Sequence, residues 1–132
     1  MKKTKVFLGG TCNGSLWREE LIPQLTVDYF NPVVANWTPE CQAEEIKQRE
    51  TCDFCLYVLT PKMTGVYSVA EVVDDSNKRP SKTVMCVITK DGEAEFTPHQ
   101  IKSLTQTGKM VVANGGKSFN TLAEVAAFLN SN

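Results

Sequence analysis

Phe54-Cys55-Leu56-Tyr57-Val58-Leu59 is the longest unbroken apolar run in the chain. A strand with one face in water alternates apolar and polar residues, so six apolar positions in a row predict a strand covered on both faces, the central position of a parallel sheet. Thr60-Pro61-Lys62 ends it. Towards the N-terminus, Lys5-Val6-Phe7-Leu8 followed by Gly9-Gly10 reads as a first buried strand running into a tight loop. Ser15, with Glu19 and Glu20 behind it, reads as the N-cap of a helix that lasts until Pro23. Thr26 to Phe30 is a short second strand, stopped where Asn31 precedes Pro32. Thr38-Pro39-Glu40 opens a polar helix to Glu50, with proline at its first position. Towards the C-terminus, Tyr67 to about Asn77 predicts a helix and Thr83 to Ile88 a fourth strand. Thr97-Pro98 then opens a short helix to Leu104, Lys109-Met110-Val111-Val112 predicts a fifth strand, and Ser118 to Leu129 an amphipathic helix.

Strands alternating with helices imply right-handed crossovers and a parallel sheet with helices on both faces. The expectation is an α/β, flavodoxin-like three-layer sandwich whose five strands run in the order 2-1-3-4-5. At 132 residues, 42% hydrophobic, the chain suits one domain over 1–132. Fourteen Lys and Arg against fifteen Asp and Glu give a net charge of -1, which argues against a nucleic-acid polymer as partner. The basic start at Lys2-Lys3 leads into an apolar run too short for a secretory signal, and no segment is long enough to span a bilayer, so no membrane partner is expected. Five cysteines, an odd number at irregular spacing, suit reduced thiols and a cytoplasmic location. Cys52 and Cys55 have C-x-x-C spacing but enter a buried strand, and no second pair completes a zinc site. Neither metal nor cofactor is expected.

In sheets of this order ligands bind beyond the carboxyl ends of the strands, between strands one and three. That singles out Gly9-Gly10-Thr11-Cys12-Asn13-Gly14 and Thr60-Pro61-Lys62-Met63-Thr64-Gly65. Glycines in the first loop let a ligand approach the backbone, although a plain tight turn explains them equally well. The loop is neither a P-loop nor a dinucleotide fingerprint. The second leads into Gly65-Val66-Tyr67-Ser68-Val69-Ala70-Glu71, which puts Glu71 in the first turns of a helix, where a carboxylate is stabilised as the anion. An acid complementing the helix dipole reads the same way. Its place beyond a central strand, flanked by Val69, Ala70, Val72 and Val73, favours a nucleophile. Arg18 and Lys62 lie near the loops, where a phosphate contact and a structural role are both open, and Trp17 and Trp37 are candidates for base stacking or core. His99 reads as a solvated helix start, and Asp74-Asp75 as solvated. A phosphoacceptor receiver would need acids at the ends of strands one and three, where Gly9-Gly10 and Thr60-Pro61-Lys62 stand.

The segment Gly65 to Glu71 behind the strand Leu56 to Pro61 resembles the nucleophile segment of the nucleoside 2-deoxyribosyltransferase family, which includes deoxynucleoside monophosphate N-glycosidases. Val6-Phe7-Leu8-Gly9-Gly10-Thr11, Trp37-Thr38-Pro39-Glu40, and Glu45 eight positions ahead of Asp53 fit the same pattern, over most of the chain. The resemblance implies an enzyme in which Glu71 attacks the anomeric carbon of a nucleoside or nucleotide and forms a glycosyl-enzyme intermediate, resolved by a second base or by water. It further implies that Glu45 holds sugar hydroxyls or orients the nucleophile and that Gly9, Gly10, Thr11 and Asn13 line the pocket. Lys62, Gly65, Tyr67 and Ser68 complete the expected substrate-binding set. Asp53 is read instead as a cap at the strand entry. A homo-oligomer is implied too, with Asn114 or Asn132 as candidates to reach a neighbouring site. The chain departs from the family where Thr64 to Ser68 carries no carboxylate, where Val73 replaces a glycine, and where Glu45 replaces an Asp. A non-catalytic nucleotide-binding or regulatory domain with the same pocket is the alternative.

Overall fold

A computed structural model describes residues 3–12 and 14–132. Its main sheet is built from β1 (Lys5–Gly10), β2 (Asp28–Phe30), β3 (Phe54–Leu59), β4 (Thr83–Val87) and a C-terminal strand, β7 (Lys117–Phe119). They lie in the order β2-β1-β3-β4-β7 with every pairing parallel. This is the expected flavodoxin-like order, with helices on both faces. A small antiparallel hairpin, β5 (Lys90–Asp91) and β6 (Ala94–Glu95), follows β4.

The apolar run at 54–59 is explained by its two faces. Leu56 and Val58 join Val6, Leu8, Val84 and Cys86 beneath α1 (Trp17–Leu21) and α5 (Leu122–Asn130), which contribute Trp17, Leu21, Val125 and Leu129. Cys55, Tyr57 and Leu59 point the other way, joining Phe7 and Met85 beneath α3 (Tyr67–Lys78) and α4 (Pro98–Ala113), which contribute Val72, Leu104 and Val111. The remaining long helix, α2 (Pro39–Thr51), starts as expected: Thr38 is its N-cap and accepts from the Cys41 N–H, with Pro39 in the first turn. Asp53 ties β3 to β1, its Oδ2 accepting from the Lys5 N–H at 2.8 Å. The Cys52 and Cys55 side chains are buried, and burial pushes the Cys55 thiol up to about 12. Among the described residues no helix is long and apolar enough to cross a membrane, and no group of three or more His, Cys, Asp or Glu could hold a metal.

The C-terminal third departs from expectation. Lys109 to Val112 is the end of α4, not a strand, and the fifth strand is Lys117–Phe119. Leu104, Gly108 and Val111 are the buried positions of α4, whereas Met110 and Val112 are exposed. That is helical spacing, and an apolar run of three residues cannot overrule it. Gly108 sits where an added Cβ would lie 2.9 Å from Ser118 Oγ, so the glycine lets α4 pack closely on β7. The hairpin was not anticipated, although its two-residue loop, Gly92-Glu93 between the paired Asp91 and Ala94, opens on a glycine with φ +63. Asp75 is fully buried rather than solvated.

Candidate active-site cleft

β1 and β3 end side by side, with Gly10 in register with Val58. Beyond them lies a cleft of about 310 Å³, lined by Gly9 and Gly10 of β1, Cys12 of the loop that follows and Arg18 of α1. Glu45 of α2 and Tyr67, Ser68 and Glu71 of α3 line it as well, with Pro32, Val33, Val34 and Trp37 forming an apolar rim. Trp37 is 59% and Tyr67 71% exposed, so two aromatic side chains stand open to solvent at its mouth. Trp17 belongs instead to the core, where its indole N–H donates to the Thr11 carbonyl.

The two glycines have separate steric reasons. At Gly9 an added Cβ would meet the Tyr57 ring at 2.7 Å, and Gly10 has φ +115 with the Val58 carbonyl oxygen 2.1 Å from the Cβ position. Arg18 stitches this loop from beneath: its guanidinium donates to the carbonyls of Leu8, Gly10 and Thr11. Burial lowers its pKa to about 10.

Glu71 falls in the second turn of α3, with its side chain 16% exposed and Oε2 3.5 Å from Arg49 Nη1. Burial pushes its carboxyl up to about 7; Arg49 pulls down, while Glu45, Asp75 and Asp74 push further up. Burial raises Glu45 as well, with Arg49 opposing. Behind this pair lies a more polar cavity of about 270 Å³, which shares Glu45, Tyr67 and Glu71 with the cleft and is lined further by Arg49, Asp74 and Arg79.

The predicted residues divide accordingly. Glu71, Glu45, Gly9, Gly10, Tyr67 and Ser68 meet in the cleft. Thr11 and Gly65 line a side pocket of about 90 Å³ with Gly10, Cys12, Tyr67 and Ser68. Thr11 also has a structural task, its hydroxyl accepting from the Thr60 N–H. Lys62 does not line the cleft; its Nζ lies 3.8 Å from Asp91 and 3.4 Å from the Gly14 carbonyl. Asn13 lies outside the described residues. A larger groove, about 960 Å³ between α3 and α4, includes His99 but neither Glu45 nor Glu71. Arg49, Asp75 and Tyr57 escaped the sequence reading. The available signal was spacing, since Glu45 and Arg49, and Glu71 and Asp75, stand four apart and share a helix face.

The order of the sheet defines a three-layer α/β protein, and Glu45 and Glu71 line a cleft at its switch point. Residues 3–91 match a family model described as nucleoside 2-deoxyribosyltransferase like, more than half of the chain, and the chain belongs to that family. No curated protein and no solved structure matches it.

Proposed function

We propose that the chain cleaves or exchanges the N-glycosidic bond of a (deoxy)nucleoside or nucleotide, with Glu71 as nucleophile. The observation that carries this reading is a half-buried carboxylate facing the cleft between Arg49 and Glu45. A Glu71 oxygen bonds to the anomeric carbon as the carbon–nitrogen bond breaks, its electron pair leaving with the base, which takes up a proton. A second base that attacks the same carbon breaks its bond to Glu71, the electron pair returning to the carboxylate, and gives up its proton to complete a transfer; water attacking in its place completes a hydrolysis. Glu45, on the same wall, is suited to hold a sugar hydroxyl. The aromatic rings of Trp37 and Tyr67 are suited to a flat heterocycle. Gly9, Gly10, Thr11, Ser68 and Gly65 supply the floor, and Lys62 acts on it only by holding the Gly14 carbonyl.

The test is base release from nucleosides, deoxynucleosides and their monophosphates, with and without a second free base, followed by chromatography. Release or exchange supports the reading. Tight binding with no base released would point to a binding domain, a reading favoured by the missing carboxylate between Thr64 and Ser68.

A pH profile gives a second check. Only the anion of Glu71 can attack, so kcat/KM should climb with pH, about tenfold per unit on the acid side, and level off above about 7. A limb in the ordinary carboxyl range near 4.5 would contradict the site electrostatics. The exposed apolar rim, Val33, Val34 and Trp37 with Tyr67 lining the same cleft, supports a homo-oligomer that covers it. Light scattering at working concentration should return a multiple of 14.6 kDa; a monomeric mass would sink that part.

A further inference from the structure

We propose that Arg49 is the positioning residue of this cleft: gripped by Asp75 along one edge, it fixes the place and the ionisation of Glu71 with the other. As an account of catalysis this rests on the reading of Glu71 as nucleophile, but the contact itself does not.

The argument starts at the sheet. Tyr57, fully buried on β3, donates its hydroxyl to Asp75 Oδ2. Asp75, on the inner face of α3, is also gripped by Arg79 and Arg49. Arg49 meets it as a fork, Nε 3.3 Å from Oδ2 and Nη2 2.7 Å from Oδ1. Two parallel bonds fix the plane of a guanidinium. With that plane fixed, Nη2 also reaches Asp74 Oδ2 at 3.2 Å, and Nη1 is turned to Glu71. Burial works against the charged form of Arg49, and its bonds to Asp75 together with the nearby Tyr57 and Glu71 more than offset this. The guanidinium side chain is only 13% exposed, so solvent screens its field weakly.

The other charges around Glu71 oppose Arg49. Glu45 faces it from α2, and Asp74 and Asp75 from its own helix, all three favouring the protonated acid. Cys12 of the loop after β1 and Arg18 of α1 line the same cleft, but the Arg18 N–H groups are taken by backbone carbonyls. Among the described residues Arg49 is the only cation within ion-pair distance of Glu71. An opposite charge at such a separation lowers a carboxyl by about one to three pH units, which is the difference between an available and an unavailable nucleophile at neutral pH.

The experiment is a carbon-13 titration of the Glu side-chain carboxyls in the intact protein, with Glu71→Gln identifying the Glu71 signal. In Arg49→Gln the Glu71 midpoint should stand at least about one pH unit above that of the wild type. For a wild-type midpoint of about 7, the anion at pH 7 then falls from about half to about a tenth, and kcat/KM drops about fivefold there and recovers towards pH 9. A residue with only a structural role would lower activity at all pH values and leave the midpoint in place, and an unmoved midpoint in folded Arg49→Gln overturns the proposal. Should that variant not fold because Asp75 keeps only Arg79 and Tyr57 as partners, Arg49→Gln/Asp75→Asn relieves the excess buried charge. Because Asp75 itself pushes Glu71 up, the Glu71 midpoint of the double variant is read against Asp75→Asn alone, above which it should stand by at least about one pH unit. If the wild type turns over no member of the nucleoside panel, the functional reading fails, and the titration still decides what Arg49 does.

Discussion

Glu71→Gln should lower base release or exchange by roughly four orders of magnitude or more, because a carboxamide oxygen cannot form the glycosyl ester on which both outcomes depend. The substitution preserves shape, so binding of an unreactive nucleoside should stay within a few fold. It should also leave the fold more stable at pH 8. A carboxyl held above its ordinary range in the folded state contributes stability that is present at low pH and is lost as pH rises through about 7. Above that pH the Glu71 anion sits among Glu45, Asp74 and Asp75 with one cation at 3.5 Å. After allowance for the lost Arg49 pair and for residual solvent contact, the neutral side chain should gain about 1 kcal/mol. Thermal melts at pH 5 and pH 8 beside the kinetic assay would separate a lost nucleophile from a damaged fold. Full activity in the variant would remove Glu71 from the chemistry.

The second large effect is on the fold. Gly10→Ala should cost more than about 4 kcal/mol, or prevent soluble expression, since φ +115 is closed to alanine and its Cβ would lie 2.1 Å from the Val58 carbonyl oxygen and 2.6 Å from the Val58 nitrogen. Relief requires prising β1 from β3 at the point where the Thr11 N–H donates to that same carbonyl. Gly65 is the control, because its Cβ position is open and its φ is unremarkable, so Gly65→Ala should shift stability by less than about 0.5 kcal/mol. Denaturant titrations of the two variants would check the contrast; equal effects would mean that the close approach of β1 to β3 is misplaced.

How much of this was legible in the sequence varies along the chain. The central sheet was readable because β1 and β3 bury both faces, which leaves runs such as Val6 to Leu8 and Phe54 to Leu59 with no polar interruption. The edge strand β7 has only Phe119 as an apolar residue among three, so it carries little pattern, while Met110, Val111 and Val112 at the end of α4 imitate a strand. In the cleft, Glu71 and the glycines were singled out by their place beyond the strand ends and Glu45 by the family resemblance, and the four line one cavity. Arg49 and Asp75 were not, because their partners are each other: a buried ion pair formed between two helices looks, on each helix separately, like ordinary surface charge. Lys62 turns to Asp91 and the Gly14 carbonyl, a direction that nearness to the cleft in sequence does not reveal for a long side chain.

The hairpin at 90–95 has a consequence for ligand association. Its Asp91 accepts from the Ser15 hydroxyl and faces Lys62, which in turn donates to the Gly14 carbonyl. The segments after β1 and after β3 are thereby latched to each other from a third point, close to residues that line the cleft. Conformational entropy is lost from those loops when the chain folds, so less remains to be lost when a ligand arrives. Association should accordingly approach the behaviour of a rigid receptor, governed by encounter and desolvation of the apolar rim rather than by slow ordering of a lid.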